Sequence, residues 1–377
     1  MRSSLVCAFV QTARLFRLTS PRALKRVFAL NLCVRADGAF VSSTESAHSM
    51  KLAAKIVYIR RQSRSESSYW KTTEFREKKM AISMREFHLA TADEDTCRQW
   101  MRQHGLLAQV MTCPKCYTLM EEKSFTKVSD GKRWRCPPKN CRHTVSLRRG
   151  SFFEKSGKAL TQLADLLYYW CIELSVQEVT AQVQVDENTV ISWFNFIREI
   201  CSADLIANPV QLGGPGHIVA IDETMVARRK PGNAQGRPVR SQWVFGGVDL
   251  NTGSFFMEIV RRRDAATLTP VIQRNILPGT RIWSDEWRAY HQLPQLGYVH
   301  ETVNHSHHFV NPATGVHTNN IEARWSACKA TFKRRYGVTR RHLPSYLDEH
   351  MWRARRPHNG MAVFESIIRA IRVQYPV

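Results

Sequence analysis

Three carboxylates occupy positions where chemistry can use them. Asp222, next to Glu223, closes the apolar run of "GHIVAIDETMVARRK". Asp285 follows the short run Arg281 to Ser284 in "ILPGTRIWSDEWRAYHQL", and Glu322 is the lone acid of the basic stretch "GVHTNNIEARWSACKATFKRRYG". Acids at two strand ends and near the start of a helix can converge on a divalent cation such as Mg²⁺, which takes few carboxylates and keeps waters and substrate phosphate as its other ligands. A pair of such ions serves phosphoryl displacement by activating the nucleophile and stabilising the leaving oxygen. A plainer reading is also open, because strand-end Asp favours turns and Glu favours the first turn of a helix. Glu223 would fall on the opposite face from Asp222 if the strand continues, which makes it the weaker ligand. Asp249 falls in a hairpin turn and reads as structural.

A second constellation uses sulfur. Cys113 and Cys116 form C-x2-C, and Cys136 and Cys141 form C-x4-C after a gap of nineteen residues. Four thiolates on two tight knuckles can close a tetrahedral structural Zn²⁺ site. The alternatives are unrelated thiols or two disulfides, and the scattered cysteines with no convincing secretory signal point to a reducing compartment. The stretch between the pairs reads as a hairpin turning at "SDGK", too small to bury a core, so metal would supply much of its folding energy.

Other elements must carry these groups. Acids at the start of "TADEDTCRQWMRQHG" and its closing Gly105 predict a short helix from about Asp93. A helical region is expected from Thr161 to about Cys201. Within it, "ELSVQEVTAQVQVDENTVISWFNFIREIC" predicts two helices about a turn near Val185 to Glu187, with Asp186 as N-cap of the second. This fits a helix-turn-helix that exposes Asn188, Thr189 and Ser192, or an ordinary helical hairpin. Beyond Gly216 the pattern changes to apolar strands, with a hairpin turning at Asp249 to Gly253, and it becomes helical again from about Thr318. Ile321, Trp325, Cys328 and Phe332 form an apolar stripe on that last helix, and Glu322 borders it.

The formal charge of +23 and pI near 10.0 call for a polyanionic partner, most simply nucleic acid held through phosphate contacts. Candidate contacts are Arg228, Arg229 and Lys230, then Lys329, Lys333, Arg334 and Arg335. Arg261 to Arg263, Arg340, Arg341, Arg353, Arg355 and Arg356 are further candidates, and any of these clusters can equally be a solvated face. No apolar run is long enough to span a membrane. Residues 1–36 hold seven Arg or Lys and no acid, open to reading as a mitochondrial transit peptide or as an unstructured leader, with Met80 and Met84 as alternative starts.

The motifs "AIDETMV", "QWVFGGVD", "IWSDEWRAY" and "VNHSHHFVNPATGVHTNNIE" resemble transposases of the Merlin superfamily and its bacterial insertion-sequence relatives. The resemblance spans roughly residues 85 to 370 and includes the order zinc ribbon, helical DNA-binding region, catalytic domain. It implies an α/β, RNase H-like catalytic domain: a mixed five-stranded sheet flanked by helices. It also implies Asp222, Asp285 and Glu322 as a DDE triad holding Mg²⁺ or Mn²⁺. Some relatives carry Asn at the third position, where this chain has Glu322. The implied partners are double-stranded DNA, namely terminal inverted repeats and target, with a dimer or larger assembly holding two ends, and the nucleus as location in a eukaryote. His317, Asn319 and Asn320 would orient substrate or cap the helix, and His305, His307 and His308 suit a strand edge or a DNA-facing role. The expected divisions are a leader (1–84), a short helix with zinc ribbon (85–150), a helix-turn-helix-like region (151–210) and the catalytic domain (211–377). A DNA-binding derivative without catalysis and a structure-selective nuclease are the competing functions.

Overall fold

The computed structural model describes residues 83–226, 242–304, 310–312, 314–335, 337–357 and 360–377. The basic leader up to residue 82, Arg228, Arg229, Lys230, His305, His307 and His308 lie outside the described residues.

Chain order opens with helices α1 (Met84–Ala90) and α2 (Glu94–Gln103). Periodicity alone gives no sign of α1, yet Ser83 and Glu86 close a reciprocal capping box, a signal legible in "SMRE". Asp93 caps α2, and Gly105 beyond its end takes φ +65°, where a side chain would be strained. Strands β1 (Glu121–Ser124), β2 (Lys132–Arg135) and β3 (Thr144–Ser146) form an antiparallel sheet. Its small core is Met120, Trp134, Val145 and Leu147 with Cys113 and Cys136. Asp130 does more than turn this hairpin: it is buried, and the Nε of buried Arg148 donates to it at 2.9 Å while Arg98 Nη2 donates to its carbonyl at 3.0 Å.

Helices α3 (Leu160–Cys171), α4 (Val176–Val183) and α5 (Glu187–Ala207) follow. Glu94 of α2 accepts the backbone N–H groups of Leu160 and Thr161 at 3.1 and 3.0 Å, satisfying two free donors at the start of α3. Gln184, at φ 56°, ends α4, and Asp186 caps α5 by accepting from Thr189 N at 2.9 Å.

The remaining chain builds a five-stranded mixed sheet from β5 (Ile218–Val226), β6 (Gln242–Asp249), β7 (Phe255–Val260), β9 (Arg281–Asp285) and β10 (Val299–Val303). The strand order is β10-β9-β5-β6-β7, with β5, β6 and β7 antiparallel and β9 and β10 parallel to β5. A separate two-residue pair joins β4 (Leu212–Gly213) to β8 (Ile276–Leu277). Helix α6 (Ala265–Asn275) and the 3-10 turn Arg288–Tyr290 pack on one face, where Tyr290 meets Glu223 and Phe245. Helix α7 (Asn319–Arg334) crosses the other face, where Trp325 meets Asp222 and Lys329 meets Thr224. Helices α8 (Leu343–Ala354) and α9 (Gly360–Gln374) close the chain.

The core of the early helices also draws on the end of the chain. Val363, Phe364, Ile367, Ile368 and Ile371 of α9, and Trp352 of α8, are buried in the core formed by α1 to α5. The α9 apolar stripe finds its partners among those helices, since the sheet's faces are already covered. Helices α1 and α2 share that core through Phe87, Trp100 and Met101, while Arg98 and Arg102 of α2 also reach the β1–β3 sheet at Asp130 and Glu122.

Candidate active site

Strand β5 does not end at Asp222, as the apolar run suggests, but continues to Val226. What ends near Asp222 is its pairing with β9: the last paired residues are Ala220 and Trp283. Asp222 and Asp285 each lie two positions further along parallel strands, so the side-chain period of two puts both carboxylates on one face. They sit where the two strands part, at the carboxyl end of β9, a location where α/β sheets form crevices for ligands.

Helix α7 brings the third acid to that face. Trp325, one turn after Glu322, is buried, and its indole Nε1 donates to Asp222 Oδ2 at 3.1 Å. Gly246 pairs with Asp222 across β5 and β6, and a Cβ there would lie 2.6 Å from Trp325 Cη2 and 2.6 Å from the Phe256 carbonyl oxygen. The glycine is thus the space in which the indole lies. Each acid has an orienting donor: Trp325 for Asp222, the Trp287 backbone N–H to Asp285 Oδ1 at 3.1 Å, and the Thr318 hydroxyl to Glu322 Oε1 at 3.0 Å. Outer-shell donors of this kind set the direction in which a ligand oxygen faces a cation.

Burial pushes the Asp222 carboxyl up to about 6, and the negative charges of Asp285 and Glu322 push it the same way. The charges of Asp285 and Glu322 are thus felt at Asp222, and a divalent cation with oxygen ligands is a group that suits such carboxylates. Among the described residues, only the four cysteines gather three or more ligand groups within 4.8 Å of one another. The carboxylates share one end of the sheet without all closing to that distance.

The segment 211–355 matches the model of the ISXO2-like transposase domain. A transposase-like protein of Haemophilus influenzae is 30% identical over 95 residues, which cover 25% of this chain and 76% of that protein. The chain belongs to the ISXO2-like transposase family. The male abnormal protein mab-31 of Caenorhabditis elegans is 25% identical over 164 residues, covering 38% of this chain and 37% of that protein. Among solved structures, a simian T-cell lymphotropic virus intasome in complex with a PP2A regulatory subunit matches at 16% identity, covering 50% of this chain and 67% of that one, with a TM-score of 0.26. A pre-cleavage Mos1 transpososome matches at 13% identity, covering 77% of this chain and 95% of that one, with a TM-score of 0.21. Both superpositions are too loose to align side chains.

In this ISXO2-like chain Glu223 lies on the opposite face, as alternation requires, and accepts from the Tyr290 hydroxyl at 2.5 Å. Burial raises its carboxyl to about 7 against that hydrogen bond, and the charges of Asp222 and Asp285 add to the rise. Asp249 is structural: it is buried and accepts from Gly213 N at 3.1 Å and from Asn251 N at 2.9 Å, with His217 Nδ1 at 2.9 Å.

The basic candidates divide. Lys329, Lys333 and Arg334 are exposed on α7, with Lys329 Nζ donating to Thr224 Oγ1 at 2.6 Å and Arg334 3.3 Å from Glu173. Arg335 instead turns inward and donates to both oxygens of Glu349 at 2.7 and 2.8 Å. Arg353 and Arg356 are likewise occupied, by Glu349 at 2.9 Å and by Asp204 at 2.8 Å. Asn188 and Ser192 are exposed on α5, whereas Thr189 is half-buried and serves the Asp186 cap.

The four cysteines do come together, as free thiols. Cys113 and Cys141 Sγ are 3.7 Å apart, and Cys116 and Cys136 Sγ are 3.2 Å apart. Neither distance is a disulfide bond, and tetrahedral zinc with Zn–S near 2.3 Å would set sulfurs about 3.8 Å apart. The Thr118 hydroxyl and backbone beside Cys116 hold its thiol down at about 6, favouring the thiolate that binds metal.

Sequence reasoning misses the supporting residues more than the acids. Trp325 is legible only as part of a stripe, and its indole N–H is the unused signal, since a buried Trp usually finds a partner for that group.

Proposed function

We propose that this chain is a DNA transposase of the DDE type, akin to the Merlin superfamily, which cuts DNA at transposon ends and joins them to target DNA. The observation that carries this reading is the two-residue offset common to Asp222 and Asp285 on parallel strands, with Trp325, one turn from Glu322, hydrogen-bonded to Asp222. The strand order β10-β9-β5-β6-β7 supports an RNase H-like catalytic fold. Asp222, Asp285 and Glu322 would hold Mg²⁺ or Mn²⁺. Bound there, the ions would activate water and stabilise the leaving oxygen of an in-line displacement.

The chain's own groups prepare that reaction. Trp325, Thr318 and the Trp287 N–H fix the directions of the three carboxylates, and Trp325 and Gly246 fill the space behind Asp222. Lys329, Lys333 and Arg334 offer charge to a phosphate backbone along α7, joined by Arg228, Arg229 and Lys230 from outside the described residues. Arg335 is left out of this set because Glu349 holds it. Water attacks the phosphodiester to leave a 3′-hydroxyl and a 5′-phosphate; that hydroxyl then attacks a phosphodiester of the target, joining to the target's 5′-phosphoryl group and releasing a target 3′-hydroxyl. Cys113, Cys116, Cys136 and Cys141 would hold a structural Zn²⁺, making the β1–β3 sheet a zinc ribbon. The ribbon and α4–α5 would engage double-stranded DNA, and a dimer or larger assembly would hold two ends.

The carboxylates do not all lie within 4.8 Å of one another, which favours one second reading, a DNA-binding derivative that does not cut. Purified chain with Mn²⁺ and labelled end DNA separates the two. Nicking that leaves a 3′-hydroxyl is expected from the parent, while Asp285→Asn binds like the parent and does not nick. A parent that never nicks, or an Asp285→Asn variant that nicks equally, sinks the enzymatic reading; cutting without joining and without preference for an end would indicate a nuclease.

A further inference from the structure

Asp285 is followed two residues later by a tryptophan whose placement the triad does not explain. Trp287 is 40% exposed, although both of its N–H groups are engaged. Its backbone N–H donates to Asp285 Oδ1 at 3.1 Å, and its indole Nε1 donates to the Arg263 carbonyl at 2.7 Å. The Arg263 guanidinium lies 4.9 Å from the centre of the Trp287 ring and 4.1 Å from that of Trp243. Three separate segments therefore converge: β6 through Trp243, the turn after β7 through Arg263, and the turn after β9 through Trp287. Exposed Arg261 and Arg262 adjoin them.

Packing alone does not require a ring whose N–H is satisfied to be left 40% exposed beside Asp285. Here the ring is fixed in orientation by its own N–H, backed by a planar cation, and presented to solvent beside Asp285. We infer that Trp287, with Arg263 and Trp243 behind it, is a stacking site for an unpaired DNA base. A flat indole with an arginine neighbour binds the π-face of a base and tolerates any sequence. In a paired duplex those faces are covered by neighbouring bases, so the site takes a nucleotide that has left the stack. Its phosphate is then within the field of Arg261 to Arg263. The assignment rests on the proposed function only in taking the neighbourhood of Asp285 as the place where a DNA end arrives.

The test compares two duplexes of one sequence, one fully paired and one with a few unpaired nucleotides at one end. Binding to the full-length chain is measured by fluorescence anisotropy without divalent metal. One stacked base predicts that the parent binds the frayed duplex about tenfold more tightly than the paired one. Trp287→Ala should lose that preference and keep the parent's affinity for the paired duplex, while Trp287→Phe should keep most of it. Melting temperatures establish that both variants are folded. A parent without preference, or a folded alanine variant with the parent's preference, overturns the site. Cleavage is read separately with Mn²⁺: preference without cutting removes the transposase reaction and keeps the stacking site, and cutting without preference does the reverse.

Discussion

Asp222 carries a cost that a cation would remove. Its folded-state carboxyl is raised to about 6 by burial and by the charges of Asp285 and Glu322, against an ordinary value of 3.8. Between those values the folded chain holds more proton than the unfolded one, so stability falls as pH rises through that window and the penalty is complete above it. Asp222→Asn should therefore raise the metal-free melting temperature at about pH 8, by an amount worth up to roughly 2–3 kcal/mol, and change nothing below the unfolded value. Added Mn²⁺ should stabilise the parent and not the variant. An equal effect of the substitution on both sides of the window would show that the buried, ionised Asp222 carboxylate is not its cause.

Among the elements, the β1–β3 sheet is the part least able to stand by itself. Its core is six residues, two of them cysteines. The Asp130–Arg148 pair ties its hairpin to the chain leading into α3, while sulfur atoms of the two cysteine knuckles face each other across the site. Prolonged chelation should release zinc and lower the melting temperature, and Cys116→Ala should reproduce both effects. Near-ultraviolet circular dichroism should lose the Trp134 contribution while far-ultraviolet helix signal persists, because α1 to α5 close their own core. Purified chain with no zinc, or an unchanged melt after its removal, would rule out the structural metal. The hairpin, the Asp186 cap and the stripe of α7 are legible locally, since each follows from turn chemistry or a periodicity of a few residues. Helix α9 is not assignable that way: its apolar face is compatible with either core, and only packing chose the helical one.

Between the two larger cores, Glu349 is the common point. It is 1% exposed on α8 and meets Arg353 of the same helix, Arg335 at the end of α7, and Arg198 of α5 at 3.8 Å. Burial alone would push its carboxyl up, but Arg335, Arg353 and Arg198 hold it well below the usual range. Removing one partner of a buried ionic cluster leaves the others uncompensated, so Glu349→Gln should cost about 3–5 kcal/mol of stability. Arg335→Ala should lower the melting temperature and leave the salt dependence of duplex binding intact. Lys333→Ala should do the opposite, reducing the salt slope by about one ion at constant stability. A shallower salt slope for Arg335→Ala would return that residue to the DNA-facing set.

Chemical types were already readable from the chain: three acids beside apolar elements, two cysteine pairs at knuckle spacing, and an excess of positive charge. Those are properties of composition and of short spacing, which survive without knowledge of distant neighbours. Folding chose which groups meet. It set Asp222 and Asp285 in step through the pairing of β5 with β9, laid Trp325 into the space left by Gly246, and turned Arg335 to Glu349. It also placed Trp287 at the edge of Asp285 with Arg263 behind it. Nearly all of these contacts join segments far apart along the chain, and a one-residue change of register would send every side chain of a strand to the other face.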